Sequence, residues 1–415
     1  MRPPDGSAAS PPVAFDPFEP GFDAWPYDQY ARLREQDPVH WSELLCGWIV
    51  SRYDDVSGIL RDRTMSSDLN NASSSTVVDI LRSRTREHDG AMTVVLLDDP
   101  EHARLRKLIQ APFTVRNIDK IRDSIHRRVD VAVGTVEQLG SMELIGELAY
   151  PLPVSVFCEM LGIPDEAGPK FHGWTSAVAR SLDLVISQEE YEACMVEVRE
   201  MEEYLGELAD RKAVEPGDDI LSSMLAAEVD GVGFTRDELI VNLVTLYVAG
   251  HEPTTALIGN GMAHLLARPH LLAALQADPS LVPAAVHELL RFDGPNQFVR
   301  RIALEPTTFE GADGPVEVAP GDVIYVAIGA ANHDPRRFGP DAGELRLDRP
   351  DANAHVQFGG GVHTCLGAHL ARMQAEITLT TLLSRLPDIA PGGDVGWSGR
   401  TTLRSVSAVP ITWRT

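Results

Sequence analysis

Four cysteines are too few and too unevenly placed to staple this chain. Cys46, Cys158, Cys194 and Cys365 share no regular spacing, so no disulfide framework is implied and a reducing, cytoplasmic setting is expected. Long apolar runs are missing as well. No stretch reaches the roughly 18 residues that would read as a membrane span, and the N-terminus lacks the apolar core of a secretion signal. Positive charge is scarce: Lys and Arg total 36 against 61 Asp and Glu, a net charge of −25. That balance argues against nucleic acid and anionic membrane as partners, since both need a basic face. Neither a glycine-rich dinucleotide fingerprint nor a repeat at solenoid spacing occurs. What is present is an ordinary globular composition, 44% hydrophobic over 415 residues, enough for a substantial core.

Along its length the chain reads as mainly α with a smaller β-rich part. Residues 1–25 form a Pro-rich, largely disordered leader in this reading, and residues 26–415 a single domain. Helical periodicity runs through residues 26–37, 100–113, 118–139, 191–212 and 281–292. The longest helix opens at a capping box, Thr235-x-x-Glu238, and stays helix-compatible to Arg268, where Pro269 stops it. Its residues are nearly all apolar, so it should be buried. "WIVSRY" (residues 48–53) reads as a strand, and β signals return in "VEVAPGDVIYVAI" and "TLRSVSAVPITW". Residues 66–99, polar and Ser-rich, read as a long loop with little fixed structure.

One stretch carries chemistry: "HVQFGGGVHTCLGAHLAR", residues 355–372. A cysteine at the mouth of a helix faces unpaired backbone N–H groups and the positive end of the helix dipole, which favour thiolate. Gly359, Gly360 and Gly361 allow the preceding loop positive φ, and Gly367 leaves the next turn without a Cβ, so that a flat object can approach. Such a site suits a thiolate ligand to a planar metal cofactor, haem above all. Two other readings stay open on spacing alone. A lone cysteine is often a small buried hydrophobe, and His355, His363, Cys365 and His369 are grouped closely enough for zinc.

Phe358-Gly359-x-Gly361-x-His363-x-Cys365-x-Gly367 resembles the haem-ligand signature of the cytochromes P450, of the soluble bacterial type. Further matches follow in that family's order over nearly the whole chain. Glu288-x-x-Arg291 in "HELLRF", together with Arg349 in "LRLDRP", resembles the family's buried Glu–Arg–Arg cluster. His102-x-x-x-Arg106 puts two side chains on one helical face and, with Arg301 and His363, matches the family's haem-propionate partners. The resemblance implies the cytochrome P450 fold, a long central helix over haem b, and Cys365 as the iron's protein ligand. It implies dioxygen as co-substrate, and NAD(P)H electrons delivered indirectly by a ferredoxin and its reductase. Arg372 and His369 are candidate contacts for an acidic ferredoxin.

Midway along the longest helix, Ala249-Gly250-His251-Glu252-Pro253-Thr254-Thr255 is similar to the family's oxygen-binding motif, with one departure. Pro253 stands where the family has threonine. Glu252 and Thr254 are the candidate proton-delivery pair, and Ala249 and Gly250 line the cofactor in this reading. Pro253 has no N–H for the Ala249 carbonyl, which leaves Thr254 able to bond back to the Gly250 carbonyl. Leu243, Leu246, Tyr247, Asn296 and Gln297 are candidate substrate contacts. The expected activity is hydroxylation or other oxidation of a small organic molecule, as in secondary metabolism. Oxidative coupling or ring formation without oxygen insertion is the alternative that Pro253 motivates. A non-catalytic zinc or ligand-binding helical protein is the remote one.

Overall fold

In the computed structural model of the chain, residues 13–86, 92–164, 168–181, 183 and 186–415 are described. The helix Arg236–Leu266, 31 residues long, is the axis of the molecule; at ~1.5 Å per residue it runs about 46 Å. Both halves of its capping box are made. Thr235 Oγ1 accepts from the Glu238 amide at 3.2 Å, and the Glu238 carboxylate accepts from the Thr235 amide at 2.9 Å. Pro253 lies inside this central helix without ending it, so the proline removes one rung of the ladder and leaves the rest. The helices Pro151–Leu161, Gly168–Ser181, Gln188–Val214, Val282–Asp293 and Ala368–Arg385 pack around it. Their apolar faces join one large core cluster that includes Phe157, Phe171, Tyr247, Met262, Leu289 and Leu382. No helix among the described residues is long and apolar enough to cross a membrane.

A five-stranded sheet stands beside the helical mass. In spatial order its strands are Val39–Ser42, Gly47–Val50, Val323–Ala327, Phe298–Ala303 and Met65–Ser66. Gly47–Val50 and Val323–Ala327 run parallel, and the other pairs are antiparallel. Val323–Ala327 shows why "DVIYVAI" is almost wholly apolar. Val323, Tyr325 and Ala327 enter a core with Phe15, Tyr30 and Phe298, while Ile324 and Val326 enter another with Val39, Val50 and Val356. Period-two alternation sends each residue to a face that is covered. The C-terminal β signals become Val406–Ala408 and Pro410–Thr412.

Four expectations need correction. Residues 66–99 are not a structureless loop: they hold the helix Thr76–Arg86 and two single turns, Leu69–Asn71 and Val94–Leu96. Ser75, one of the residues that made the stretch read as loop, caps that helix by accepting from the Val78 amide at 3.2 Å. Residues 87–91 of that stretch lie outside the described residues. The "WIVSRY" strand ends at Val50, and Tyr53 opens the helix Tyr53–Ile59, its amide held at 2.9 Å by Asp334 Oδ2 from 281 residues away. The helical run 118–139 breaks into Val115–Asp119 and Arg122–Val136. Part of the expected leader is packed, for Phe15 and Phe22 are buried and the Phe15 ring stands 5.4 Å from that of Phe298. Residues 1–12 lie outside the described residues.

Candidate active site

Cys365 is held by its own loop. Its amide donates to the Phe358 carbonyl at 2.9 Å, closing the turn that Gly359 and Gly361 make possible with φ of 69° and 62°. A Cβ on Gly361 would also come within 2.8 Å of the Leu60 carbonyl oxygen, so this glycine is required twice. Gly367 caps the helix Ala368–Arg385, and a Cβ there would meet no protein atom within 4 Å beyond its own neighbours. Cys365 itself is exposed. Burial pushes the Cys365 thiol up from its ordinary value, against the Gly367 amide, Arg106 and the Ala368 amide, which favour thiolate. Coordination to a metal ion deprotonates such a thiol outright.

Four nitrogen-bearing side chains from three separate segments gather beside this loop. Burial lowers the His363 pKa to about 4, helped by the positive fields of Arg301, His102 and Arg106 and opposed by Asp98. The His102 and His363 rings are 4.3 Å apart. His363 Nε2 lies 3.1 Å from Ser67 Oγ, and His102 Nδ1 lies 3.3 Å from Asp99 Oδ1. Arg106 donates to the Thr364 carbonyl, and Arg301 is buried with one nitrogen bonded to the Arg300 carbonyl at 2.7 Å. His102 Nε2 is buried with no hydrogen-bond partner. A buried imidazole nitrogen in that state is costly unless a ligand completes it. Two carboxylate-bearing propionates are chemically apt for a group of this kind.

On the central helix one face is open among buried neighbours. Ala249 is exposed, and Thr245, Leu246 and Pro253, which lie on the same face, are half-buried. An alanine with accessible surface at the middle of a buried helix marks the wall of a cleft. Gly250 serves another purpose than expected: a Cβ there would fall 1.8 Å from Phe157 Cζ, so it lets the helix Pro151–Leu161 pack close. Thr254 lies about 140° round the helix from Ala249. It is buried, and its hydroxyl donates to the Gly250 carbonyl at 3.1 Å. Glu252 is half-buried and ion-paired with Arg400 at 2.9 Å, a residue that the sequence reading missed. Nothing in "SGRTTL" signals a partner 148 residues away.

Glu288, Arg291 and Arg349 are brought together, with side chains 0–3% exposed. Arg291 grips the carboxylate in fork fashion at 2.7 and 2.8 Å, and Arg349 Nε reaches Oε1 at 3.1 Å. The remaining guanidinium donors go to the carbonyls of Asn332, Phe338, Ala342 and Glu344, among others. By contrast, the four residues grouped for zinc face apart. His355 meets His287, His363 meets Ser67 and His369 meets Asp119. Among the described residues no group of three or more His, Cys, Asp or Glu side chains is placed to hold a metal ion. Of the candidate substrate contacts, Leu246 is on the open face, whereas Leu243 and Tyr247 are core residues, the Tyr247 ring 4.5 Å from that of Phe171. Asn296 is spent on Gln357, while Gln297 gives its Nε2 to the Gly294 carbonyl and Tyr27 and keeps a buried Oε1 without a hydrogen-bond partner. Arg372 donates to His287 Nε2 at 2.9 Å.

The residues thus fit haem: a cysteine with glycine clearance around it, an orphaned buried imidazole among basic groups, and an open alanine on the central helix. Known proteins agree. A family model described as Cytochrome P450 matches residues 185–394. Over 422 residues the chain is 36% identical to the cytochrome P450 monooxygenase PikC of Streptomyces venezuelae, with 99% of this chain and 96% of that protein covered. It is 38% identical to the nocardicin C N-oxygenase of Nocardia uniformis subsp. tsuyamanensis, with 97% of each covered. The solved structure of PksS, the bacillaene polyketide synthase cytochrome P450 of Bacillus subtilis 168, matches with a TM-score of 0.86 at 32% identity, over 97% of this chain and 100% of the other.

Proposed function

The chain belongs to the cytochrome P450 family, and on that premise we propose that it hydroxylates a small organic molecule of secondary metabolism. The family uses haem-thiolate iron and dioxygen, with NAD(P)H electrons arriving through redox partners. The names of the relatives, a nocardicin C oxygenase and a polyketide cytochrome among them, support a secondary metabolite as substrate. The observation that carries the reading is Cys365, accessible at the mouth of the helix Ala368–Arg385 and facing its first amides.

When bound, the haem supplies the oxidising power, and the chain's own residues hold and shield it. Cys365 ligates the iron, with Phe358, Gly359 and Gly367 shaping the space beside it. His102, Arg106, Arg301 and His363 hold the propionates, and His102 Nε2 gains its missing partner there. Ala249 and Leu246 meet the substrate and keep water from the cleft. Glu252 delivers protons, while the Thr254 hydroxyl serves the helix through the Gly250 carbonyl. The Glu288–Arg291–Arg349 cluster stiffens the proximal side. Residues 13–415 make up the catalytic domain in this reading. Electrons come from a cytoplasmic ferredoxin and its reductase; Lys107, exposed next to Arg106, and Arg372 supply positive charge near the Cys365 loop.

Pro253 favours one rival outcome, oxidative coupling, because it puts a ring without a hydroxyl on the open face of the central helix. Two measurements test these readings. Reduced protein treated with CO should show the long-wavelength Soret band of a haem thiolate, and its absence would refute the family chemistry for this chain. Products formed from a ligand that shifts the Soret band of the haem-loaded protein should gain one oxygen atom from labelled dioxygen. A loss of two hydrogens without gain of oxygen would favour coupling.

A further inference from the structure

The Glu252 carboxylate has two partners, Arg400 from a distant segment and His251 beside it on the central helix. Arg400 follows the strand Gly396–Trp397 and donates to Glu252 Oε2 at 2.9 Å through one terminal nitrogen and to Ser176 Oγ at 3.2 Å through the other. The two charged side chains are only 15% and 12% exposed. His251 Nδ1 lies 2.8 Å from the Tyr247 carbonyl, which makes that nitrogen the donor. Its Nε2 has no hydrogen-bond partner and ends 3.6 Å from Glu252 Oε1. The loop that carries Arg400 is itself pinned: the Thr401 and Thr402 amides donate to Asp183 Oδ1 at 3.1 and 3.3 Å, and Arg180 takes Oδ2 at 2.8 Å.

Such company changes what a carboxylate can do. Burial pushes the Glu252 pKa up, but His251 and Arg400 outweigh it and leave the group below its ordinary range. An acid held ionised in a low-dielectric setting gives and takes protons only when its cation moves. Ser176 belongs to the helix Gly168–Ser181, which packs on the central helix through Phe171 and Tyr247. The same guanidinium therefore touches the carboxylate and the flanking helix.

We infer that Arg400 is a positioning residue: it holds Glu252 ionised beside the open face of the central helix and couples it, through Ser176, to the helix Gly168–Ser181. This rests on the reading of Glu252 as the proton-delivering acid. Proton delivery and the seating of the flanking helix then answer to one contact.

The test uses the holoenzyme and the variants Arg400→Gln, Arg400→Lys and Glu252→Gln. Infrared titration reads the carboxyl band that Glu252→Gln removes, hydrogen exchange reads residues 168–181, and product per NADH is followed against pH. Arg400→Gln should raise the Glu252 titration by about one pH unit, equal to ~1.4 kcal/mol of lost charge pairing. Exchange in 168–181 should quicken several-fold, and the acid-side limb of the coupling profile should move up with the titration. Arg400→Lys, which keeps the charge, should restore most of the titration and of the profile. Faster exchange with an unmoved titration would make Arg400 a structural staple and overturn the inference, as would no change in either. Wild-type coupling in Glu252→Gln would instead overturn the proton-delivery reading, and with it this one. The carboxyl titration in Arg400→Gln is read without turnover, so it shows which of the two has failed.

Discussion

The two walls of the cleft are built on different plans. On the proximal side, that of Cys365, the contacts a motif encodes join residues close in sequence: the Cys365 amide closes on Phe358 seven residues back, and Glu288 grips Arg291 three residues on, with Arg349 added to the same carboxylate from 61 residues away. On the distal side the same kinds of requirement are met across the chain. Glu252 finds Arg400 from 148 residues away, and Gly250 is small because Phe157 of another helix lies against it. A local solution leaves a motif, since spacing and geometry are the same statement. A long-range solution leaves ordinary residues that acquire meaning only on folding.

The comparison breaks first at Cys365. Cys365→Ser should lose haem or its thiolate spectrum, while Cys46→Ser, Cys158→Ser and Cys194→Ser keep both. Absorption spectra of the purified variants check this, and an unchanged thiolate band in Cys365→Ser would dismantle the proximal reading. Next in size is Glu288→Ala. Removing this carboxylate leaves Arg291 buried with uncompensated charge, while Arg349 keeps Asp341 at 3.1 Å, at a cost of about 3–5 kcal/mol. Against a typical total of ~5–15 kcal/mol, denaturant unfolding should show a marginal or haem-poor protein. A stability within about 1 kcal/mol of wild type would mean that the cluster is not the rigid part of the proximal wall.

How much was legible follows the same division. The long helix could be read because its capping box and apolar run are local, and both ends of it fell within two residues. The Cys365 loop could be read because only glycine allows its φ angles. The helix Thr76–Arg86 was hidden by its own cap, since Ser75 and its neighbours look like loop until one of them is seen accepting a helical amide. Tyr53 looked like the end of a strand because its cap, Asp334, lies 281 residues away. Tyr247 and Gln297 looked like substrate contacts because a hydroxyl or an amide on a candidate wall resembles recognition. Their partners, Cys158 and Phe171 for the first and Gly294 and Tyr27 for the second, are set by tertiary packing. Arg400 had no sequence signal.

A smaller effect sharpens the distal half. In an exposed helix Gly→Ala gains about 1 kcal/mol; at Gly250 the new Cβ meets a buried ring. Overpacking of this sort costs about 1–3 kcal/mol, so Gly250→Ala should destabilise despite better helix propensity. Phe157→Leu in the same chain should recover part of the loss, and a double-mutant cycle by thermal unfolding measures it. Additive effects would show that Gly250 and Phe157 do not depend on each other.

The smallest expected effect is the most discriminating. Thr254 stands one residue beyond the position where the family carries its hydroxyl, and the structure turns it away from the open face of the central helix, donating to Gly250. Thr254→Val removes that hydroxyl at nearly constant shape. The lost hydrogen bond should cost about 1 kcal/mol, because the Gly250 carbonyl loses a side-chain donor in a half-buried setting. Product per NADH should stay near wild type, and peroxide release should stay low. Glu252→Gln, which removes the charge on the face that matters, should raise peroxide and lower product under the same conditions. If Thr254→Val uncouples as strongly as Glu252→Gln, the hydroxyl belongs to the proton path in spite of where it points. The distal wall would then be as local in its logic as the proximal one, with Pro253 displacing the family's hydroxyl by a single residue.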